Sequence, residues 1–334
     1  MKRGKLSFHV LVIMAAFLAG LLLLAHVQTS HAKVKVVAGS IVPKGDLEAT
    51  TLDLFKEYLK GPAPDLDIEI HYAAELGNER ELFEGLQIGM IKLACITTGV
   101  ASGFAPELGI FSLCYLYPSL DAAKKVSQSE VAEKIAEIVR AKTGVRILGY
   151  IPKAFRVMMS RKKPIKGLED LKGYKLRLPK DPVLIDTFKL LGANPTPIPW
   201  GDVYTSLKTG VVDGMEATPP SIYSMKFWEN TQYMTVTNHQ LLWYALLMND
   251  ALYKSLSPDV QKAVQVAANK AVEESINKAD ALAKKYIDML AKTQKEVFYP
   301  DLKPFIEAVQ PTYDAFGKKT GTMGLLKQVK EMVK

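Results

Sequence analysis

Cysteine and histidine are scarce in this chain, with two cysteines and five histidines in 334 residues. Two cysteines exclude a disulfide scaffold and a structural zinc ribbon. His9, His26 and His31 lie in an N-terminal stretch that reads as a leader, which leaves His71 and His239, too few for a histidine-rich metal site. Several catalytic signatures are missing: a G-x-S-x-G elbow, a Walker A loop, H-E-x-x-H, and G-x-G-x-x-G after a strand. No metal or cofactor is expected, and no catalytic residue can be assigned. Internal repeats and low-complexity tracts are also lacking. A disordered or collagenous chain is excluded by 48% hydrophobic and 23% charged residues.

The N-terminus carries the clearest local signal. Lys2, Arg3 and Lys5 precede the apolar run VLVIMAAFLAGLLLLA from Val10 to Ala25, and Ser30-His31-Ala32 puts small residues where a signal peptidase reads. The run is a little short of the ~20 residues a spanning helix prefers. Cleavage near Ala32 is expected, giving an exported, soluble chain from Lys33; an uncleaved anchor is the alternative. No cysteine follows the run, which argues against a lipoprotein. Removal of residues 1–32 takes three basic residues and no acidic one, so the net charge falls from +8 to +5. The densest basic stretch, RKKPIKGLEDLKGYKLRLPK at 161–180, is broken by two acids and has no aromatic ladder. It reads as a solvated face, and no nucleic-acid binding is expected. Cys95 and Cys114 would both reach an oxidising compartment. Each lies in an apolar stretch suited to a buried thiol, and the sequence leaves open whether they pair.

Length predicts two domains at roughly 150 residues each. VKVVAGS, LDIEIHY and KLACIT read as strands, separated by helical patterns over 46–60 and ERELFEGLQIGM, the alternation of a mainly parallel α/β sheet. A second unit follows, with VRILGYI, RVMMS and KGYKLRLP as strands, a helix over 183–191, GANPTPIP as a connector, and TSLKTGVVDGMEATPPSIY as helix ends and turns. LLWYALLMN is an apolar strand free to return to the first sheet. After Ser257-Pro258, an N-cap with proline at N1, no glycine or proline occurs until Pro300. That predicts one helix of about 37 residues, a rod of roughly 55 Å.

Three stretches in order carry a family resemblance: ELGNERELFEGLQIGMIKLA at 75–94, FRVMMSRKKPIKGLEDLKGYKLRLP at 155–179, and PIPWGDVYTSLKTGVVDG at 197–214. The chain resembles the DctP-type solute-binding proteins of tripartite ATP-independent periplasmic (TRAP) transporters. The resemblance implies an α/β, type II-like two-lobe binding fold with a cleft between lobes and one long helix spanning both. Lobe I is expected at 33–153 plus 241–281, and lobe II at 154–240 plus 282–334. It also implies a monomeric receptor that takes a small carboxylate, does no chemistry, and passes the acid to TRAP membrane permease subunits.

In such proteins one arginine clamps the substrate carboxylate, and Arg177 in KLRLP matches it. A guanidinium can give one carboxylate two parallel hydrogen bonds. Arg156 matches a second arginine of acidic-sugar binders, with one extra residue between the two here. Glu79 matches a pocket-rim position, Trp200 a pocket aromatic, and Glu216 a loop residue. Ala217 stands where an asparagine is frequent, and Thr97 where acidic-sugar binders carry glutamate, departures that point to a smaller or less polar acid than sialic acid. His239 reads as a structural hydrogen-bonding group. Two other readings stay open: a periplasmic enzyme acting on a small acid, and the binding lobe of an ABC importer or sensor.

Overall fold

The computed structural model describes residues 33–334, without the side chains of residues 280–283. The expected leader and its expected cleavage point lie outside the described residues. Two sheets organise the chain. The first contains Val34–Gly39 (β1), Leu66–His71 (β2), Leu93–Thr97 (β3), Val145–Phe155 (β4) and Leu241–Asn249 (β10), in the order β2-β1-β3-β10-β4. The second contains Val157–Ser160 (β5), Lys175–Leu178 (β6), Asn194–Pro197 (β7), Gly214–Ala217 (β8), Tyr233–Thr235 (β9) and Glu296–Phe298 (β11), in the order β11-β9-β5-β8-β6-β7.

The first helices are Leu47–Leu59 (α1), Glu79–Ile88 (α2), Thr98–Ala101 (α3), Leu120–Ser127 (α4) and Glu130–Thr143 (α5). Beside the second sheet come Pro182–Leu190 (α6), Val203–Thr209 (α7) and Pro219–Ser224 (α8). Asp250–Ser255 (α9), Pro258–Ala291 (α10), Lys303–Thr320 (α11) and Met323–Met332 (α12) complete the chain. This is the two-lobe α/β architecture implied by the resemblance.

Strand β1 pairs in parallel with β3, as the strand–helix–strand spacing predicts, but β10 runs antiparallel to both β3 and β4. The first sheet is therefore mixed rather than mainly parallel. Every residue of β10 is buried, because core lies on both faces. Leu241, Trp243, Ala245 and Leu247 face one core with Phe111 and Ile135, while Leu242, Tyr244, Leu246 and Met248 face the other with Phe55 and Val264.

Two segments formed strands where the local patterns pointed elsewhere. Asn194–Pro197, expected as a connector, is an edge strand paired in parallel with β6 on one side only. Proline lacks the N–H that a central strand needs and survives at an edge. Gly214–Ala217, expected among turns, is a strand inside the second sheet, between β5 and β6. A Cβ on Gly214 would come 2.4 Å from the Met159 carbonyl oxygen, so the close strand approach requires glycine there.

Helix α10 starts as expected, with the Ser257 hydroxyl accepting from Val260 N, but ends at Ala291. Its 34 residues still span about 51 Å. Val264, Ala267, Ala268 and Ala271 pack in the first sheet's core, and Leu290 packs in the second's. Helix α11 divides likewise, with Phe305 and Val309 on the second sheet's side and Tyr313 and Phe316 on the first's. Helix α12 inserts Leu326 and Val329 into the first sheet's core. The cysteines are free thiols buried in different cores, and burial raises both above their ordinary pKa. No described helix is long and apolar enough to cross a membrane.

Candidate functional site

The chain leaves the first sheet for the second at Arg156, between β4 and β5, and returns before β10. The two crossings lie side by side, with Arg156 N donating to Gln240 O at 2.9 Å. Beside them opens a cleft bordered by both sheets' elements. Of the residues singled out in the sequence, Glu79, Thr97, Arg156, Arg177, Trp200 and Ala217 line it.

Arg177 lies on β6 and is 1% exposed. Its Nε and Nη2 both donate to the Ile198 carbonyl, at 3.0 and 2.5 Å, which fixes the guanidinium plane. Nη1 is buried and has no partner among the described residues. The guanidinium carbon stands 5.5 Å from the centre of the Trp200 ring. Burial pushes the Arg177 pKa down to about 10, so the group is still cationic at neutral pH. A fixed, desolvated cation with an unused N–H is suited to an anion of matching geometry. Trp200 is braced edge-on by Phe227, ring centres 4.9 Å apart, and its Nε1 is also buried without a partner.

Arg156 is occupied differently. Its Nε and Nη2 grip the two carboxylate oxygens of Glu216, and Nη2 also donates to the Glu216 carbonyl at 3.1 Å. Burial opposes the charge on Arg156, but Glu216 beside it outweighs that and holds the guanidinium above its ordinary value. Burial likewise pushes Glu216 up, and Arg156 and His239 more than offset it, holding the carboxyl below the usual range. Glu216 is fully buried and stands behind the cleft wall rather than on it, bracing Arg156. His239 Nε2 lies 3.2 Å from Glu216 and Nδ1 lies 2.8 Å from the Thr237 hydroxyl. Burial lowers its pKa, so the network assigns a neutral ring that donates from Nε2 and accepts at Nδ1. His239 thus has the structural role read from the sequence.

Glu79 opens α2, and its Oε1 accepts from Thr97 N at 2.7 Å, tying α2 to the end of β3. Burial raises its pKa. Ala217 ends β8 and presents no polar side-chain atom to the cleft.

Other cleft residues had no motif to mark them. Asp181 caps α6 through Val183 N and Leu184 N, at 3.0 and 3.1 Å, and burial raises its pKa. Gln240 donates to the Ser112 carbonyl at 2.8 Å. Trp243 packs on Phe111 and Tyr117 and keeps a buried, unpartnered Nε1. Next to the cleft, Lys153 Nζ joins Asp46 on the first sheet's side to Ser221 on α8, each at 2.9 Å. A lone lysine in the apolar stretch GYIPKAF was a legible anomaly, because lysine is almost never buried without a partner. Among the described residues no cluster of three or more His, Cys, Asp or Glu could hold a metal ion.

The family profile described as DctP, bacterial extracellular solute-binding protein family 7, matches residues 38–320. A protein of Salmonella typhimurium called YiiZ is 33% identical over 267 residues, covering 79% of this chain and 81% of its own length. Among solved structures, a TRAP periplasmic solute-binding protein of Xanthobacter autotrophicus with bound beta-D-galacturonate is 26% identical at a TM-score of 0.84, covering 89% of this chain and 99% of its own. A TRAP periplasmic solute-binding protein of Polaromonas bound to D-erythronate is 26% identical at a TM-score of 0.83, covering 89% and 98%. With a family match across nearly the whole described chain and the same two-lobe fold, the chain belongs to the DctP-type solute-binding proteins of TRAP transporters.

Proposed function

We propose that the protein is an extracytoplasmic receptor that captures a small organic acid on Arg177 and delivers it to TRAP permease subunits. The observation that carries this reading is the buried, unpartnered Nη1 of Arg177 inside the cleft. Arg156 plays the supporting part, since Glu216 already occupies one edge of its guanidinium. Trp200, Glu79, Thr97 and Ala217 shape the pocket around the acid, and Glu216 acts through Arg156. The bound acids of the Xanthobacter and Polaromonas proteins support a carboxylate as the shared group.

The lobes comprise 33–153 plus 241–281 and 154–240 plus 282–334, with α12 reaching back onto the first. The receptor works as a monomer in the periplasm after cleavage near Ala32, and performs no chemistry on its ligand. Native mass spectrometry of the purified protein, before and after unfolding, tests the reading. An acid released on unfolding and returned unchanged after incubation is expected. Turnover of the acid would favour an enzyme instead, and Arg177→Ala retaining the acid at wild-type occupancy would remove the proposed clamp.

A further inference from the structure

The two proposed lobes differ in charge. Residues 154–240 and 282–334 carry 22 lysines and arginines against 14 acids, whereas 33–153 and 241–281 carry 18 against 21. Part of the basic excess gathers at one end of the second sheet. Arg177 on β6 and Ala217 at the end of β8 mark the cleft end. At the opposite end, Ser160, which closes β5, lies beside Gly214 and Tyr233, which open β8 and β9, and Tyr233 lies beside Glu296 of β11. Lys162 and Lys163 follow β5 there, and Lys172 and Lys175 lead into β6. Lys208 closes α7 before β8, and Lys295 leads into β11. All six lysines are exposed. Four interstrand spacings separate β11 from β6, so the row is about 19 Å wide.

Among the described residues none of the six forms an ion pair. The pairs that lysine and arginine make in this lobe lie elsewhere, at Arg156–Glu216, Lys303–Glu307 and Lys319–Asp186. Of the nearby acids, Asp170 accepts from Lys166 N and Gly167 N, and Asp213 from Lys175 N, leaving Glu169 and Glu296. The matching end of the first sheet is neutralised, with Lys35 on Glu69 and both Arg146 and Lys254 on Asp250. Two aliphatic side chains stand exposed within the basic row. Leu190 is 53% exposed at the end of α6, in a loop held beside Lys172 by Gly173 N donating to Gly192 O at 2.8 Å. Val211 is 55% exposed, and Arg161 Nη1 ties its turn to the β5 exit through the Val212 carbonyl.

We propose that this end of the second lobe rests on an anionic phospholipid surface, which confines the receptor to the plane where a membrane partner is met. Lysines are mobile point charges on flexible stems, suited to headgroup phosphates that shift laterally and unsuited to reading one rigid ligand. Leu190 and Val211 are placed to dip into the boundary between headgroups and acyl chains while the lysines hold the phosphates. Because the row lies at the end of the sheet remote from Arg177, this contact leaves the cleft open to solvent.

Co-sedimentation of the chain from Lys33 onwards with vesicles tests this, using phosphatidylcholine alone and phosphatidylcholine with a third phosphatidylglycerol. Binding to the anionic vesicles should exceed that to the neutral ones by at least about tenfold. It should vanish in about 0.5 M salt, where the screening length falls below about 5 Å. Each lysine at such a surface contributes about fivefold, so Lys162→Gln/Lys163→Gln should weaken binding about 25-fold. Lys124→Gln/Lys125→Gln, on α4 beside the first sheet, should stay within about twofold of wild type. Leu190→Ser/Val211→Ser should weaken binding by at least about threefold, and unchanged binding there overturns the apolar part of the contact. Equal binding to both vesicles, or to neither, overturns the proposal, even if the face is found to hold an acidic protein instead. An equal loss from the two lysine pairs refers binding to net charge and overturns the assignment of this face.

Discussion

Replacing Arg177 by lysine separates the geometry of the clamp from its charge. In the native protein two of the guanidinium nitrogens hold the Ile198 carbonyl, and the third is left for the ligand. A lysine ammonium keeps the positive charge but sits on a flexible stem, so it cannot grip that carbonyl and aim a second N–H along a fixed plane. Losing one charge-assisted hydrogen bond costs about 1.5–3 kcal/mol. At ~1.4 kcal/mol per tenfold, affinity should fall by about 12- to 150-fold. With ligand at about 100 times the wild-type Kd, binding stabilises the wild type by about 2.7 kcal/mol. A variant about 20-fold weaker gains only about 1.1 kcal/mol under the same conditions. Thermal melts with and without the acid read this directly, because unliganded stability should change little when the charge is retained. If Arg177→Lys keeps the full ligand-induced shift in melting temperature, the guanidinium plane is irrelevant to binding and the reasoning fails.

Glu216→Ala should lower unliganded stability by about 3–5 kcal/mol in a chemical melt, since it leaves the buried Arg156 charge without its carboxylate. The double variant Arg156→Met/Glu216→Leu should recover much of that loss. His239 has a folded pKa below its ordinary 6.5 because of burial, so the unfolded chain binds the proton more readily. Its contribution to stability is therefore complete above pH 6.5 and is lost as pH falls from there through the folded value. His239→Gln should flatten that limb of the stability–pH curve, and an unchanged limb assigns it to another group. Ala271→Pro, at a fully buried position inside α10, should cost about 3 kcal/mol or more and blunt the response to ligand. Wild-type melting and a wild-type ligand response in that variant would contradict the coupling role given to the helix.

Local periodicity made much of the fold legible. The alternation in LDIEIHY and the helical spacing through 47–59 report which face is buried, and both elements formed where expected. Proline-bearing Asn194–Pro197 was illegible because its strand character comes from β6 alongside, not from its own residues. Gly214–Ala217 is a strand for the same reason, held between two neighbours from other parts of the chain. Arg156 and Arg177 were found by resemblance and by the chemistry of guanidinium. The physical reason for the division of labour proposed between them was not legible, because it depends on Glu216, 60 residues from Arg156 in sequence, and on a backbone carbonyl that no motif displays. The tryptophan N–H groups are legible only by what fails to reach them, and that requires coordinates.

The paired crossings at Arg156 and Gln240 have a mechanical consequence. Points near a pivot sweep short arcs, and distant points sweep long ones. Any rotation of one sheet against the other about these adjoining strands leaves Arg156 almost where it stands. Glu79, carried by α2 on the first sheet's side, and Trp200, carried beyond β7 on the second's, travel towards or away from each other. Under such a rotation the cleft would have one stationary corner and one moving rim. Molecules of different length that share the corner would then be gauged by how far the rim must travel to meet them.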